Sequence, residues 1–349
     1  MSLVTTLSQE FRRMTPRFDN FELRLTTAGL YDAFLRQTKG SSSFITPALK
    51  QTAAMSPGRD LKIPVINYKD VTVRSTRPLT IVADENTSAL YTVVWNTYAY
   101  GFKMYRAQHK NNDVSYQLDW NKKYLAMIKK MRSTIEAAAY TAIDAAKTQV
   151  LPTVVGGHTF ATSLLSETGI ATLNDSYILN DLDPSMNTND FDFFGGDIVG
   201  NQGLNAILSR MAGFSKFNSE NKTLPYQDKF MHFSNSIPDA GAAKATGFGI
   251  ADGHLGLLTR VEPDSEMRTK LKTGHEWDKV NVPLLGIEMG SYTYEEAVDA
   301  SGLGAHATHL TRTGAEVFDF AVDMAFVIAY NSDRTTIPSG ILKFDIATV

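Results

Sequence analysis

The sequence predicts an α+β fold, and three stretches carry that reading. One helical run covers residues 117–150, where Tyr124, Ile128, Met131, Ile135, Ala138, Ala142 and Ala146 recur at three and four. Two β runs around a polar turn, LKIPVINYKDVTVR and LYTVVWNTYAYGFKMYRA, read as a long hairpin. Near the C-terminus, VFDFAVDMAFVIAY keeps an apolar residue at every second position from Phe318 to Ile328.

A chain of 349 residues is too long for one small core and divides into two or three compact units. The net charge of -3 leaves no global basic field, so any nucleic-acid contact would be local. Cysteine is absent, which excludes disulfides, thiolate metal sites and cysteine nucleophiles and suits a reducing cytoplasm. MSLVTTLSQEFRRM has charges where a signal peptide needs an apolar centre. No run reaches the roughly 18 apolar residues of a membrane helix.

Taken in order, residues 1–60 mix charge and aromatics without a period in FRRMTPRFDNFELRL. They continue as the Ser-, Thr- and Pro-rich GSSSFITPALKQTAAMSPGRD. This composition predicts an arm or linker that packs on something else. In the hairpin, the run from Leu90 to Arg106 would reach about 55 Å at ~3.3 Å per residue. A compact domain has little use for that length, whereas a subunit that reaches over its neighbours does. The helix follows as a rod of roughly 45 Å, with Asp119 near its start and Pro152 after its end. Its first half carries Lys122, Lys123, Lys129, Lys130 and Arg132, which suit either phosphate contact or a solvated flank. Its second half is Ala-rich and lets another element approach closely.

Residues 151–280 read as a separate α/β unit with frequent turns. NQGLNAILSRMAGF predicts a short helix with Leu204, Ile207, Leu208 and Met211 inward, and KFMHFSNSI and GHLGLLTRV predict strands. VNVPLLGIEMGSYTYEEAVD reads as strand, SGLGAHATHLTRTG as a polar connection, and ILKFDIATV as a last strand.

The search for chemistry is mostly negative. Asp319 and Asp323 would be about 6 Å apart on a helix but about 13 Å apart on a strand. Paired glycosidase carboxylates need roughly 5–9.5 Å. The strand pattern therefore argues against an acid pair. Lys39-Gly40-Ser41 lacks the glycine spacing of a Walker A loop, and GFGIADG has G-x-G but not G-x-G-x-x-G. No G-x-S-x-G elbow occurs. His306 and His309 form H-x-x-H near Asp299, but a metal needs three or four ligands, so a polar interface loop is the expectation. The remaining histidines share no spacing. We expect no catalytic group, no metal and no cofactor.

The order of these stretches resembles the major capsid proteins of tailed bacteriophages, the HK97-like fold. LKIPVINYKDVTV, ENTSALYTVVWNTYAYGF, NNDVSYQLDWNKKYLAMIKKMRSTIEAAAY and VNVPLLGIEMGSYTYEEAVDAS carry the resemblance. It implies an N-arm at 1–60, an extended E-loop hairpin at 61–107 and a spine helix of the peripheral domain at 108–151. An axial domain would follow at 152–279, with the long strands, connecting loop and C-terminal strand of the peripheral domain at 280–349. The E-loop tip would be Asp84, Glu85, Asn86, Thr87 and Ser88. Pro238, Asp239, Lys244 and Asp252 would lie in an axial loop near a five- or six-fold axis. His306, His309 and Arg312 would lie near a three-fold contact, and the helix lysines with Arg132 would face the interior.

The implied function is a non-enzymatic shell that self-assembles through pentamers and hexamers around double-stranded DNA. The implied location is the virion capsid, with assembly in the host cytoplasm. Implied partners are further copies of the chain, a separate scaffold, a portal, decoration proteins and nonspecifically contacted DNA, with no membrane. The chain is short for a fused scaffolding segment. An encapsulin-like compartment, another virion part such as a tail tube, and a soluble enzyme are the alternatives. Enclosed cargo distinguishes the first, the long helix argues against the second, and the third needs a deep polar pocket.

Overall fold

The computed structural model describes residues 28–55, 59–66, 75, 88–105, 109, 113–148, 154–155, 158–159, 170–173, 182, 186–187, 191, 193–211, 229–238, 245–261, 275–296, 315–330 and 339–346. In chain order the elements are α1 (Gly29–Lys39), α2 (Pro47–Met55), β1 (Lys62–Ile66), β2 (Ser88–Thr92), β3 (Asn96–Tyr105) and α3 (Asp113–Ala146). Then come β4 (Val154–Val155), β5 (His158–Thr159), β6 (Ile170–Leu173), β7 (Asp197–Gly200), α4 (Gln202–Met211), β8 (Phe230–Phe233) and β9 (Ala245–Ile250). The chain continues with β10 (Leu255–Arg260), β11 (His275–Val282), β12 (Ile287–Glu296), β13 (Ala315–Ile328) and β14 (Ile341–Ile346). The architecture is α+β, as the sequence predicts.

The long helix starts four residues before its expected position and, at ~1.5 Å per residue, extends about 51 Å over its 34 residues. Trp120, Tyr124, Ile128, Met131, Ile135, Ala139 and Ile143 form its buried face. The last turns differ from expectation: Ala139 and Ile143 are buried, while Ala138 and Ala142 are half-buried. A step of four from Ile135 keeps the larger Ile143 inward, and core volume decides the face.

That face packs on β13. Phe318, Phe320, Val322 and Met324 all point into the main core. Trp120 lies 6.2 Å from Phe318 and Tyr124 lies 5.5 Å from Phe320, centroid to centroid. Each such side chain, fully buried, contributes about 1.5–3 kcal/mol. Further along α3, Tyr140 meets Phe248 of β9 at 6.1 Å, and Lys343 of β14 reaches Asp144 at 2.7 Å. One helix thus spans two sheets.

The first sheet is built around β13. β12 pairs with residues 315–321 of β13 and β10 with residues 323–328, both antiparallel. β3 pairs with residues 315–324. Since β3 overlaps both registers, it occupies one edge of β13, and β12 and β10 meet end to end along the other. β11 extends the sheet beyond β12. The second sheet runs β6-β14-β9-β7-β8, with β14 parallel to β6 and β7 parallel to β8. β1–β2 and β4–β5 form separate antiparallel pairs.

Four sequence expectations change. The run Leu90–Arg106 is two strands: β2 pairs with β1, whereas β3 pairs with β13. Phe102 and Met104 are buried in the core under α3 and β13, which draws β3 away from the hairpin. The segment after Val280 is also two strands, because Pro283 lacks an N–H and Gly286, at φ 69°, turns the chain so that its N–H donates to the Val282 carbonyl at 3.0 Å. β14 lies between β6 and β9, not with β13, while β10 and β11 join the β13 sheet. Sheet membership therefore crosses the expected boundary near residue 279. In the short helix α4, Leu204 is buried as expected, and the side chains of Ile207, Leu208 and Met211 lie outside the described residues.

The largest change concerns residues 28–55, expected as part of an arm without a core. In α1, Leu30, Tyr31, Ala33 and Phe34 have no exposed surface. Phe34 packs edge-on against Phe326 at 4.8 Å. Gly29 lets the helix start against β8, for a Cβ there would sit 2.5 Å from the Phe233 carbonyl oxygen. AGLYDAF holds a helical stripe that the surrounding Ser-, Thr- and Pro-rich text obscures.

Candidate functional site

The two aspartates of β13 sit on the face opposite the main core. Asp319 is opposite Gly101 on β3 and Tyr292 on β12. Burial pushes its carboxyl above the ordinary aspartate value, and Lys103 pulls it partly back. Asp323 accepts a hydrogen bond from the Thr97 hydroxyl at 2.7 Å and pairs with Arg59 at 3.0 Å. Asp323 thus meets a basic group of its own chain. Four residues of strand separate the pair by about 13 Å, and an acid–base couple does not form.

The basic helix residues divide by environment. Lys122 and Lys130 are exposed and Lys129 is half-buried. Lys123 pairs with Asp119 at 3.0 Å and donates to the Lys103 carbonyl at 3.0 Å. Arg132 holds both oxygens of Asp32 at 2.7 Å and the Leu284 carbonyl at 3.2 Å. It fastens α1 and the β11–β12 turn to α3, which leaves Lys122 and Lys130 as the solvent-facing cations of the row.

Of the hairpin tip, Ser88 begins β2, exposed and opposite Ile66. Asp84, Glu85, Asn86 and Thr87 lie outside the described residues, as do Asp239, Lys244, His306, His309 and Arg312. Pro238 is exposed. Asp252, in the turn between β9 and β10, accepts from the Ser42 hydroxyl and lies 3.4 Å from the Arg36 guanidinium.

That contact leads to a polar joint the sequence reading missed. Asp197, fully buried at the start of β7, accepts from Arg36 Nε at 2.7 Å and Arg36 Nη2 at 2.6 Å. Gln37 Nε2 donates to it at 2.7 Å, and His232 Nε2 lies 3.0 Å away. Arg36 also covers the Phe230 ring at 4.2 Å. At the other end of α1, the buried carboxylate of Glu136 accepts the Leu30 and Tyr31 N–H groups at 3.0 and 2.8 Å. These N–H groups have no partner within the helix, so Glu136 caps it from α3. Gln37 and Thr38 accept the N–H groups of Leu255 and Leu257, each at 2.7 Å. Helix α1 is therefore tied to the long helix and to both sheets. The sequence signal was slight: a charge beside the apolar IVG run in GGDIVG, with no hint of its partner.

One set has the residue types of nucleophilic catalysis. Ser115 Oγ lies 3.0 Å from His109 Nδ1, and Asp119 lies 3.5 Å from Nε2. Asp119 is nearer to Lys123, and 3.5 Å is long for a hydrogen bond that would orient an imidazole. The set reads as a polar cluster at the start of α3. Among the described residues, no three His, Asp or Glu side chains are grouped to hold a metal, and no helix is long and apolar enough to cross a membrane.

The surface near the hairpin is more distinctive. Leu90 and Val94 are 67% and 69% exposed, and Tyr91 and Tyr100 add partly exposed rings. Among the described residues β3 pairs with β13 alone, so its second edge has no strand partner. An open strand edge beside apolar side chains is a template for association.

No protein-family model matches the sequence, and no curated protein matches it. A solved structure from Mycobacterium phage Che8 shares the fold with a TM-score of 0.51 at 8% identity, covering 92% of each chain. Lower similarity is found to the cyanophage A-1(L) capsid asymmetric unit, with a TM-score of 0.48 at 12% identity, covering 88% of this chain and 95% of the other. The capsid of Ralstonia phage GP4 gives 0.43 at 12% identity, covering 84% of both chains.

Proposed function

We propose that this chain is the major capsid protein of a tailed phage, a structural component that assembles through pentamers and hexamers into an icosahedral shell around double-stranded DNA. The observation that carries the reading is the fold shared with the Mycobacterium phage Che8 chain over 92% of both lengths. The order of hairpin, long helix, α/β unit and long strands in the sequence supports it independently. So does the open edge of β3 with exposed Leu90 and Val94, a surface suited to another copy. Heterologous contacts of this kind close into five- and six-fold rings.

In this reading β1 and β2 form the base of the E-loop and α3 is the spine. Residues 152–279 contribute the larger part of the axial domain, and residues 1–27 of the expected arm lie outside the described residues. Scaffold, portal and decoration proteins act as partners, packaged DNA is contacted nonspecifically, and assembly takes place in the host cytoplasm.

Electron microscopy of the expressed chain, alone and with the scaffold product, tests the proposal. Closed shells with five- and six-fold units are expected, and only small particles in both preparations would overturn it. Deleting residues 84–88 should abolish shells while the subunit keeps its circular dichroism spectrum. Unchanged assembly would remove the E-loop assignment.

A further inference from the structure

A second surface stands apart from the hairpin. β10 ends at Arg260, opposite Asp323, while β12 pairs as far as Gly290, opposite Ala321. The two strands meet along one edge of β13 and then diverge. A cleft of about 320 Å³ opens beside this fork, walled by residues of α1, α2, β10, β11 and β12. The geometry points to a docking site for a peptide segment of another protein, in which an apolar side chain is flanked by carboxylates.

The volume sets the size of the occupant. A lone ion or a few waters would leave most of the space empty, since a water takes roughly 30 Å³. The space suits one large side chain with its adjoining backbone. The wall is apolar where such a side chain would rest: Leu257 and Ile287 line it, with Leu35 and Val261 half-buried beside them. A phosphate or a nucleic-acid backbone alone would leave that wall wet.

The charge sets the flanks. Lys39, Lys50 and Lys279 line the cleft against a single carboxylate, Glu288. Lys50 donates to the Thr38 carbonyl at 2.9 Å, which holds its ammonium at the wall with two further N–H donors. Lys39 is exposed and has no hydrogen bond or ion pair among the described residues. The excess of ammonium groups around an apolar floor favours acidic residues beside the buried side chain and repels a basic segment. The site is separate from the β3 edge, and the inference does not depend on the shell reading.

The test uses the full-length chain and the fluorescein-labelled peptide acetyl-DELFED-amide, followed by fluorescence anisotropy. Comparison probes are the same peptide with serine for Leu and Phe, the same peptide with lysine for every acid, and an oligothymidylate. Only the first should bind. Its affinity should fall about tenfold in Lys39→Glu/Lys279→Glu and severalfold in the milder Lys39→Gln/Lys279→Gln. Ala137→Glu, on the exposed side of α3, should leave it unchanged. The proposal is overturned by no binding at millimolar peptide, by equal affinity in the lysine variants with their melting temperatures unchanged, or by equal binding of the serine peptide or the oligothymidylate.

Discussion

Replacing Asp197 by alanine tests the polar joint most directly. The carboxylate is fully buried and accepts from Arg36 twice and Gln37 once, with the His232 ring at 3.0 Å. Truncation leaves a guanidinium, an amide and an imidazole without their shared acceptor. Removing one partner of a buried pair costs about 3–5 kcal/mol. Arg36 remains 23% exposed and keeps the Gly195 carbonyl at 2.9 Å, so part of its charge stays solvated and bonded. The expected loss is therefore at the lower end, about 3 kcal/mol. The internal reference is Asp323→Ala, whose partner Arg59 is 49% exposed and whose cost should stay below about 1 kcal/mol. Urea unfolding of the unassembled chain reads both as midpoint shifts at unchanged slope. In a cycle with Arg36→Ala, the double variant should recover about 1–3 kcal/mol relative to the sum of the single variants. A loss for Asp197→Ala no larger than for Asp323→Ala, or strict additivity in the cycle, would refute the reasoning.

Three further outcomes are expected. Gly29→Ala should lower stability by about 1–3 kcal/mol because the new Cβ would sit 2.5 Å from backbone oxygen of Phe233. Alanine for glycine inside a helix ordinarily gains stability, so a raised melting temperature would contradict that close approach. Burial holds the Glu136 carboxyl above its ordinary value of 4.5, against Ser234 and the Tyr31 and Leu30 N–H groups, which pull it down. The folded chain thus keeps this proton to higher pH than the unfolded chain. The associated stability is present below the unfolded value and lost as pH rises through the folded one. Wild-type stability minus that of Glu136→Gln should fall across this window in urea titrations, and a flat difference would count against it. On the proposed shell reading, Lys122→Gln/Lys130→Gln should weaken DNA binding and its salt dependence without moving the melting temperature. Arg132→Gln should lower the melting temperature, because it frees Asp32 and the Leu284 carbonyl. The reverse pattern would exchange the roles assigned along α3.

The parts of the fold legible in the sequence were those with a long, regular period. The alternation in β13 predicted its buried face from Phe318 to Met324 correctly, and the three-and-four spacing located α3. Partner choice was not legible. Nothing local tells β3 to leave β2 for β13, or β14 to enter the second sheet, because those choices depend on which surface remains to be covered. The short stripe of α1 was lost among neighbours with loop composition. The joint around Asp197 was hidden for another reason. A buried carboxylate reads as an exposed one until its donors are known, and Arg36 and Gln37 come from 161 and 160 residues earlier in the chain.

Those separations bear on synthesis. Helix α1 leaves the ribosome early, but its cap on Glu136 comes 105 residues later, its acceptor Asp197 161 later, and the Leu285 carbonyl that takes the Tyr31 hydroxyl 254 later. At roughly 5–20 residues per second, the helix waits about 13–50 s for that carbonyl, and Phe326, which packs on Phe34, follows later still. Until then Tyr31 and Phe34 lack part of the native surface that covers them, and helices this short are marginal alone. Helix α1 is thus among the last elements to be seated. A chain with this surface finished is one translated at least as far as Phe326.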